Sequence, residues 1–409
     1  MSDFHQFGPV TALPRLLTRP VETLESEIAR WVGRYPVTLT IPMVPAEMDR
    51  PALAGIVREL SQVSYLDTLV ISLNQATSAD YARTREFFAG YHGRKVILWC
   101  EAPSVRRFVA EIRAVGLDPG EPGKGLACWL ALGHVLAEAR VEYIAFQDAD
   151  VVNYSREMLA RLVLSAVDPT VDFDFVKGYY ARVSDRLYGR LTRLLMAPLL
   201  AAFTRLIGAD PYIVYLSSFR YALSGEFAMK CDLAQRMRLA PDWGLEIVTL
   251  FEALRHRAAA RICQVELCEC YEHKHQELSP EDATTGLHRM ANDVTKHLLR
   301  TLAANGVRLS SGLLRSLVAA YQREAQDAIA DSYAVSTLNG LRYDRHDEEK
   351  SVATFQGALR ASIQEFIADP LGAPLIPNWV RVWAGVPDSG ERLLKAVRES
   401  EGVIEATAP

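Results

Sequence analysis

Two aspartates one residue apart, Asp148 and Asp150, directly follow an apolar run, with only Ala149 between them. Carboxylates at that spacing can share one divalent cation, because Mg2+ and Mn2+ take hard oxygen ligands, and a diphosphate could complete the coordination. In isolation such a pair also reads as an acidic turn capping the next helix; its place at a strand's end favours the cation. Gly123-Lys124-Gly125 opens a helical stretch, so backbone N–H groups and the Lys124 ammonium could meet negative charge at a helix N-terminus. No Ser or Thr follows the lysine, which rules out a P-loop and leaves a plain turn as the alternative. Ser224-Gly225-Glu226 and Pro241-Asp242-Trp243-Gly244-Leu245-Glu246 each put a carboxylate at or near a glycine, where backbone can approach a ligand closely. Glu226 and Glu246 could accept from ligand hydroxyls or serve as helix N-terminal charges.

Cys268, Cys270, His273 and His275 are all metal-ligand types, but C-x-C and H-x-H alternate along one strand-like segment, unlike the spacing of zinc fingers. A single histidine of this cluster joining the cation of the aspartates is a better use of a neutral imidazole; two surface histidines in a polar turn are the alternative.

Alternating β-rich and helical segments must position these groups. Residues 37–42 form a β-rich run and 51–61 carry Leu53, Ile56, Val57 and Leu60 at helical spacing. The pattern repeats: 68–73 precedes a helical stretch through Tyr91, and 95–100 precedes another over 105–115. A glycine- and proline-rich loop, 116–125, then leads into a helix through Ala139 and the β-rich run 142–147. This alternation predicts an α/β fold with a doubly wound parallel sheet, in which ligands gather outside the carboxyl ends of the strands. Further on, 173–180 and 259–270 read as strands, 191–207 as a helix, and 279–366 as mostly helical. The expected organisation is an arm over 1–35, a catalytic domain over 36–278 and a helical region over 279–409. That region could bury a homodimer interface.

The chain has 409 residues, 49% of them apolar, and a formal charge of −5 with scattered Lys and Arg, so no basic footprint for nucleic acid appears. The first 24 residues lack the unbroken apolar run of a signal peptide, and the greasiest stretch, 194–203, is interrupted by Pro198 and too short to span a bilayer. It reads as a core helix, with a membrane-surface patch as the alternative. Six cysteines without framework spacing fit a reducing compartment, so a cytoplasmic protein is expected.

In combination these motifs resemble one family, the retaining GT-A-fold glucosyl-3-phosphoglycerate synthases, with glucosylglycerate and mannosylglycerate synthases nearby. The likeness runs from about Val37 to Leu278. It rests on the Pro42 strand end, the G-K-G with Trp129 behind it, the D-x-D, Gly189-Arg190-Leu191-Thr192, Gly225-Glu226, Gly244-Leu245-Glu246 and Glu272-His273. The resemblance implies a GT-A nucleotide-sugar domain, split into a donor part (36–152) and an acceptor part (153–278). Pro42, Met43, Val44, Asn74, Lys124, Asp148, Ala149 and Glu246 would hold the nucleotide-sugar, and Asp150 and His273 the divalent metal, Mg2+ or Mn2+. Lys124, Asp148 and Glu246 would be catalytic, and Gly189, Arg190, Thr192, Gly225, Glu226 and His275 would hold the acceptor. Arginine suits that task because its planar fork matches carboxylate and phosphate. Serine is usual in the family at Ala149, and asparagine at His275.

The implied reaction moves glucose from a nucleoside diphosphate glucose to the 2-hydroxyl of 3-phosphoglycerate with retention. Free glycerate as acceptor is the near alternative. A nucleotidyltransferase and a non-catalytic nucleotide-sugar-binding protein are the more distant ones; the usual glycine-rich signature of the former is missing from the first strand.

Overall fold

The computed structural model describes residues 6, 8–273 and 276–405. Eight strands form one sheet: β1 (Thr11–Leu13), β2 (Val37–Met43), β3 (Leu66–Leu73), β4 (Lys95–Trp99), β5 (Tyr143–Phe146), β6 (Phe175–Ala181), β7 (Phe227–Lys230) and β8 (Ile262–Cys270). Their order across the sheet is β1-β8-β6-β7-β5-β2-β3-β4. Every pairing is parallel except those of β7 with β5 and with β6. The expected parallel sheet is thus corrected to a mixed one, with a four-residue antiparallel strand at the join of its halves. Every residue of β2 and β5 is buried, as strands covered by helices on both faces require. Pro42 can stand in β2 because the pairing with β5 ends at Thr40, so its missing N–H deprives no ladder partner on that side.

The stretch expected as an arm contributes structure of its own. Its β1 pairs with β8, and its helix Val21–Trp31 buries Leu24 and Ile28 and packs on the helix Arg156–Val167. Ion pairs from Arg156 to Glu22 and Glu25, each at 2.6 Å, fix that contact.

The apolar stretch around Pro198 is core. Leu191–Met196 is a π-helical turn running into the α-helix Ala197–Ile207, a difference from the single helix expected. Proline has no N–H to offer the carbonyl four residues back, that of Leu194, and a turn with wider bonding accommodates the gap. The Tyr321 hydroxyl donates to the Leu194 carbonyl instead, at 2.8 Å, from the long helix Ser311–Leu338. No helix among the described residues is long and apolar enough to cross a membrane.

Beyond residue 278 the chain is helical and packs back on the sheet layers. The helix Gly286–Ala304 lies against Arg345–Ala368, and Ser389–Glu405 lies on the helices Pro103–Ala114 and Lys124–Glu138. Trp379 stacks on Trp129 with centroids 4.4 Å apart and donates from its indole N–H to the Trp129 carbonyl at 2.9 Å. Trp129 in turn donates to the Pro377 carbonyl at 2.7 Å. Gly133 is required here, since a Cβ would enter the Trp379 ring.

Replacing Tyr321 with Phe strands the buried Leu194 carbonyl without its donor. We expect a loss of about 1–3 kcal/mol, read as a lower urea midpoint at an unchanged m-value.

Candidate active site

The carboxyl ends of β2, β3 and β5 open into one cleft of about 720 Å3. β2 delivers Pro42, Met43 and Val44 to it, β3 delivers Asn74, and β5 delivers Asp148, Ala149 and Asp150. Asn74 ties two of these ends together: its backbone N–H and side-chain amide both donate to the Met43 carbonyl, at 3.0 and 3.1 Å. Each group therefore sits at or just past a strand end, where the sheet sets its position.

Lys124 begins the helix Lys124–Glu138 and Glu246 lies in the first turn of Leu245–His256, so two helix N-termini converge on the cleft. The Lys124 ammonium donates to Asp148 Oδ1 at 2.8 Å and Glu246 Oε1 at 3.1 Å. Burial alone would lower the lysine's pKa, but these carboxylates outweigh it and hold the pKa well above the ordinary lysine value. Two glycines permit the convergence. A Cβ on Gly125 would strike the Ala240 carbonyl, and one on Gly225 would overlap the Asp148 carboxylate. Gly225 thus serves by having no side chain.

Beneath this group Lys177, fully buried on β6, donates to the Ser224 carbonyl at 2.6 Å. Burial pushes its pKa down to about 8. It holds the turn that ends in Gly225 against Asp148, a role that a lysine inside a β-rich run did not announce.

Asp150 faces His273. His273 Nδ1 lies 3.6 Å from Asp150 Oδ2, too far for a hydrogen bond, and that buried nitrogen has no other hydrogen-bond partner among the described residues. An unpartnered imidazole nitrogen and a carboxylate oxygen at this separation fit two ligands of one cation, whose remaining positions a diphosphate could fill. Among the described residues no group of three or more His, Cys, Asp or Glu side chains could hold a metal. The pair is built by strand-like pairing: Val151 bridges His273, and the Val152 N–H donates to the Glu272 carbonyl at 2.7 Å. Asn153 clips the same two segments, donating to the Cys270 carbonyl at 2.8 Å and accepting from the Glu272 N–H at 3.0 Å.

Glu226, expected among acceptor ligands, does not line the cleft. It is buried behind the wall, where the hydroxyls of Tyr180 and Tyr271 donate to its carboxylate at 2.8 and 2.5 Å. Burial, then the neighbouring Asp148 charge, raises its pKa. The two tyrosine rings are stacked at 3.6 Å, and Tyr271 meets the edge of His273 at 5.5 Å, so Glu226 anchors an aromatic backing for the histidine.

Gly189 and Arg190 line the cleft; Thr192 does not, its hydroxyl being buried with no hydrogen-bond partner among the described residues. Thr192 lies inside the π-helical turn, whose geometry the sequence did not announce. His275 lies outside the described residues. Several lining residues had no role in the sequence reading: Trp243 beside Glu246, and Leu287, Met290, Arg342 and Tyr343 from the helical region. That region also braces the Glu246 turn. His297 and Asp242 share a hydrogen bond of 2.8 Å, Asp242 accepts from the Gly244 N–H at 2.9 Å, and a Cβ on Gly244 would enter the His297 ring.

Asn153 touches neither proposed ligand directly but sets their separation. Asn153→Ala should weaken Mn2+ binding by about 10–100-fold in a direct titration, with little change in thermal midpoint.

No family profile matches the chain. It is 41% identical to the glucosyl-3-phosphoglycerate synthase of Persephonella marina over 399 residues, 98% of this chain and 99% of that one. The synthase of Methanococcoides burtonii is 35% identical over 88% of this chain and 89% of its own length. Among solved structures, the Mycobacterium tuberculosis enzyme with Mn2+, UDP-glucose and phosphoglyceric acid matches 74% of this chain and 90% of its own. Its TM-score is 0.52 at 22% identity, a likeness of fold. The chain belongs to the glucosyl-3-phosphoglycerate synthase family.

Proposed function

We propose that the chain is a metal-dependent retaining hexosyltransferase. It moves glucose from a nucleoside diphosphate glucose, UDP-glucose by family, to the 2-hydroxyl of 3-phosphoglycerate, giving glucosyl-3-phosphoglycerate. The carrying observation is the convergence of Lys124, Asp148 and Glu246 beside the Asp150–His273 pair in one cleft. Full-length likeness to named synthases supports the same reading.

Pro42, Met43, Val44 and Asn74 take the nucleotide, and Ala149 leaves room for it beside Asp148. Asp150 and His273 would hold Mg2+ or Mn2+, which when bound offsets charge developing on the departing diphosphate. Lys124 adds an ammonium at the same place, where partial burial strengthens its field. Asp148 and Glu246 accept from sugar hydroxyls and orient the ring, and their shared grip on Lys124 keeps all three groups still in the free protein. Among the described residues no carboxylate is placed as an evident covalent nucleophile, so the acceptor hydroxyl attacks from the face the diphosphate leaves, and the diphosphate takes up the hydroxyl's proton. Arg190 grips an acidic group of the acceptor, with Gly189 beside it on the cleft wall.

The division into donor part 36–152, acceptor part 153–278 and helical region 279–409 follows this assignment. Six free cysteines suit the cytoplasm.

Transfer is tested by incubating full-length protein with nucleotide-sugars and either 3-phosphoglycerate or glycerate, reading nucleoside diphosphate release and the anomeric configuration of the product by NMR. Asp150→Ala should abolish transfer while the circular dichroism spectrum stays native; retained turnover would refute the metal assignment. Lys124→Ala should lower kcat by about 10²–10³-fold, the usual effect of deleting one charge-stabilising donor.

A further inference from the structure

Four arginines line the cleft: Arg182, Arg186, Arg190 and Arg342, the last from the helical region. Their commitments differ. Arg342 is ion-paired with Asp185, and Arg182 donates to the Tyr221 hydroxyl at 3.4 Å. Arg190 makes one hydrogen bond, to Ser351 Oγ at 3.3 Å, leaving most of its fork open. The Arg186 guanidinium makes no hydrogen bond among the described residues, and its Nε is buried. Its carboxylate neighbour, Asp185, is 3.7 Å from Nε and already engaged by Arg342 and by the Tyr188 hydroxyl at 2.7 Å.

Of the three acidic residues that the helical region brings to the cleft, two are also engaged. Glu348 is gripped by Arg193 through two bonds of 2.7 and 3.0 Å, and Asp344 caps the Asp347 N–H at 3.2 Å. Asp347 is the third. Arg186 and most of the Arg190 fork are therefore left without a hydrogen-bonded carboxylate among the described residues. A buried donor left unpaired is costly, and a bound anion would relieve that cost. Backbone pairing puts Arg186 and Arg342 side by side: the two residues form a parallel bridge, and the Arg342 N–H donates to the Asp185 carbonyl at 2.9 Å.

We infer that Arg186, with Arg342 beside it, forms a second anion subsite that takes the phosphate monoester of the acceptor and so selects phosphoglycerate over free glycerate. This rests on the transferase reading above. An acceptor with an anionic group at each end of a three-carbon chain needs two cationic centres. Arg190 serves one, and the Arg186 fork, which can engage two phosphate oxygens at once, serves the other. The helical region then contributes to substrate choice through Arg342.

The test uses full-length protein with Mn2+ and UDP. Calorimetry gives the affinity of 3-phosphoglycerate and of glycerate for wild type, Arg186→Gln, Arg186→Lys, Arg342→Gln and the Gln double variant. Initial rates with UDP-glucose give the ratio of kcat/KM between the two acceptors. Arg186→Gln should weaken 3-phosphoglycerate binding by about tenfold or more and lower the acceptor ratio to match. Arg186→Lys should fall between, since it keeps the charge and loses the fork. Equal weakening of both acceptors, or of neither, in Arg186→Gln and the double variant overturns the subsite; so does a wild type that binds 3-phosphoglycerate no better than glycerate. If wild type binds 3-phosphoglycerate but releases no UDP, the transferase reading falls, and the binding comparison still decides the subsite. Should Arg186→Gln not fold, the Lys and Arg342 variants carry the same comparison.

Discussion

An ammonium partly withdrawn from water is held in its charged form by the anions beside it, and Lys124 has two, Asp148 and Glu246. The three residues come from a helix start, a strand end and a second helix start, so one charge cluster pins three elements of the fold. The cluster sits at the sheet's carboxyl edge, where helix N-termini add favourable potential for the carboxylates. Removing either carboxylate would leave the lysine short of its partners, and removing the lysine would leave two anions facing each other. The close approaches at Gly125 and Gly225 exist to let this cluster form.

What the sequence made legible follows from how locally each feature is determined. The strands β2 to β5 and the helices between them lie within a few residues of where periodicity puts them, because burial on both faces writes itself into consecutive residues. Asp148, Asp150 and Lys124 were legible because their spacing along the chain matches their spacing at a strand end and a helix start. β1 and β7 were not: three and four residues carry no period, and each is a strand only because a partner lies alongside. Glu226 was misplaced for a related reason. Its neighbour Gly225 faces Asp148, but the glutamate points the other way, toward hydroxyls from β6 and the end of β8 that no local pattern could reveal.

The helical region is part of the site's construction. It contributes Leu287, Met290, Arg342 and Tyr343 to the cleft and steadies the Glu246 turn through His297. A reading confined to motifs finds the donor groups, since those hang on strand ends. It does not find the wall that comes from a distant stretch of chain.

The stack of Trp379 on Trp129 bears on how the protein is made. Residues 124–138 leave the ribosome about 240 residues before Trp379 does, at roughly 5–20 residues per second. For that interval the notch at Gly133 and the apolar side of its helix have no cover. The first half of the sheet can form its strand pairings during this time, but the back of the helix that carries Lys124 at its tip stays unsealed until the last part of the chain arrives. Covering the helix that carries Lys124 thus depends on a tryptophan that does not line the cleft.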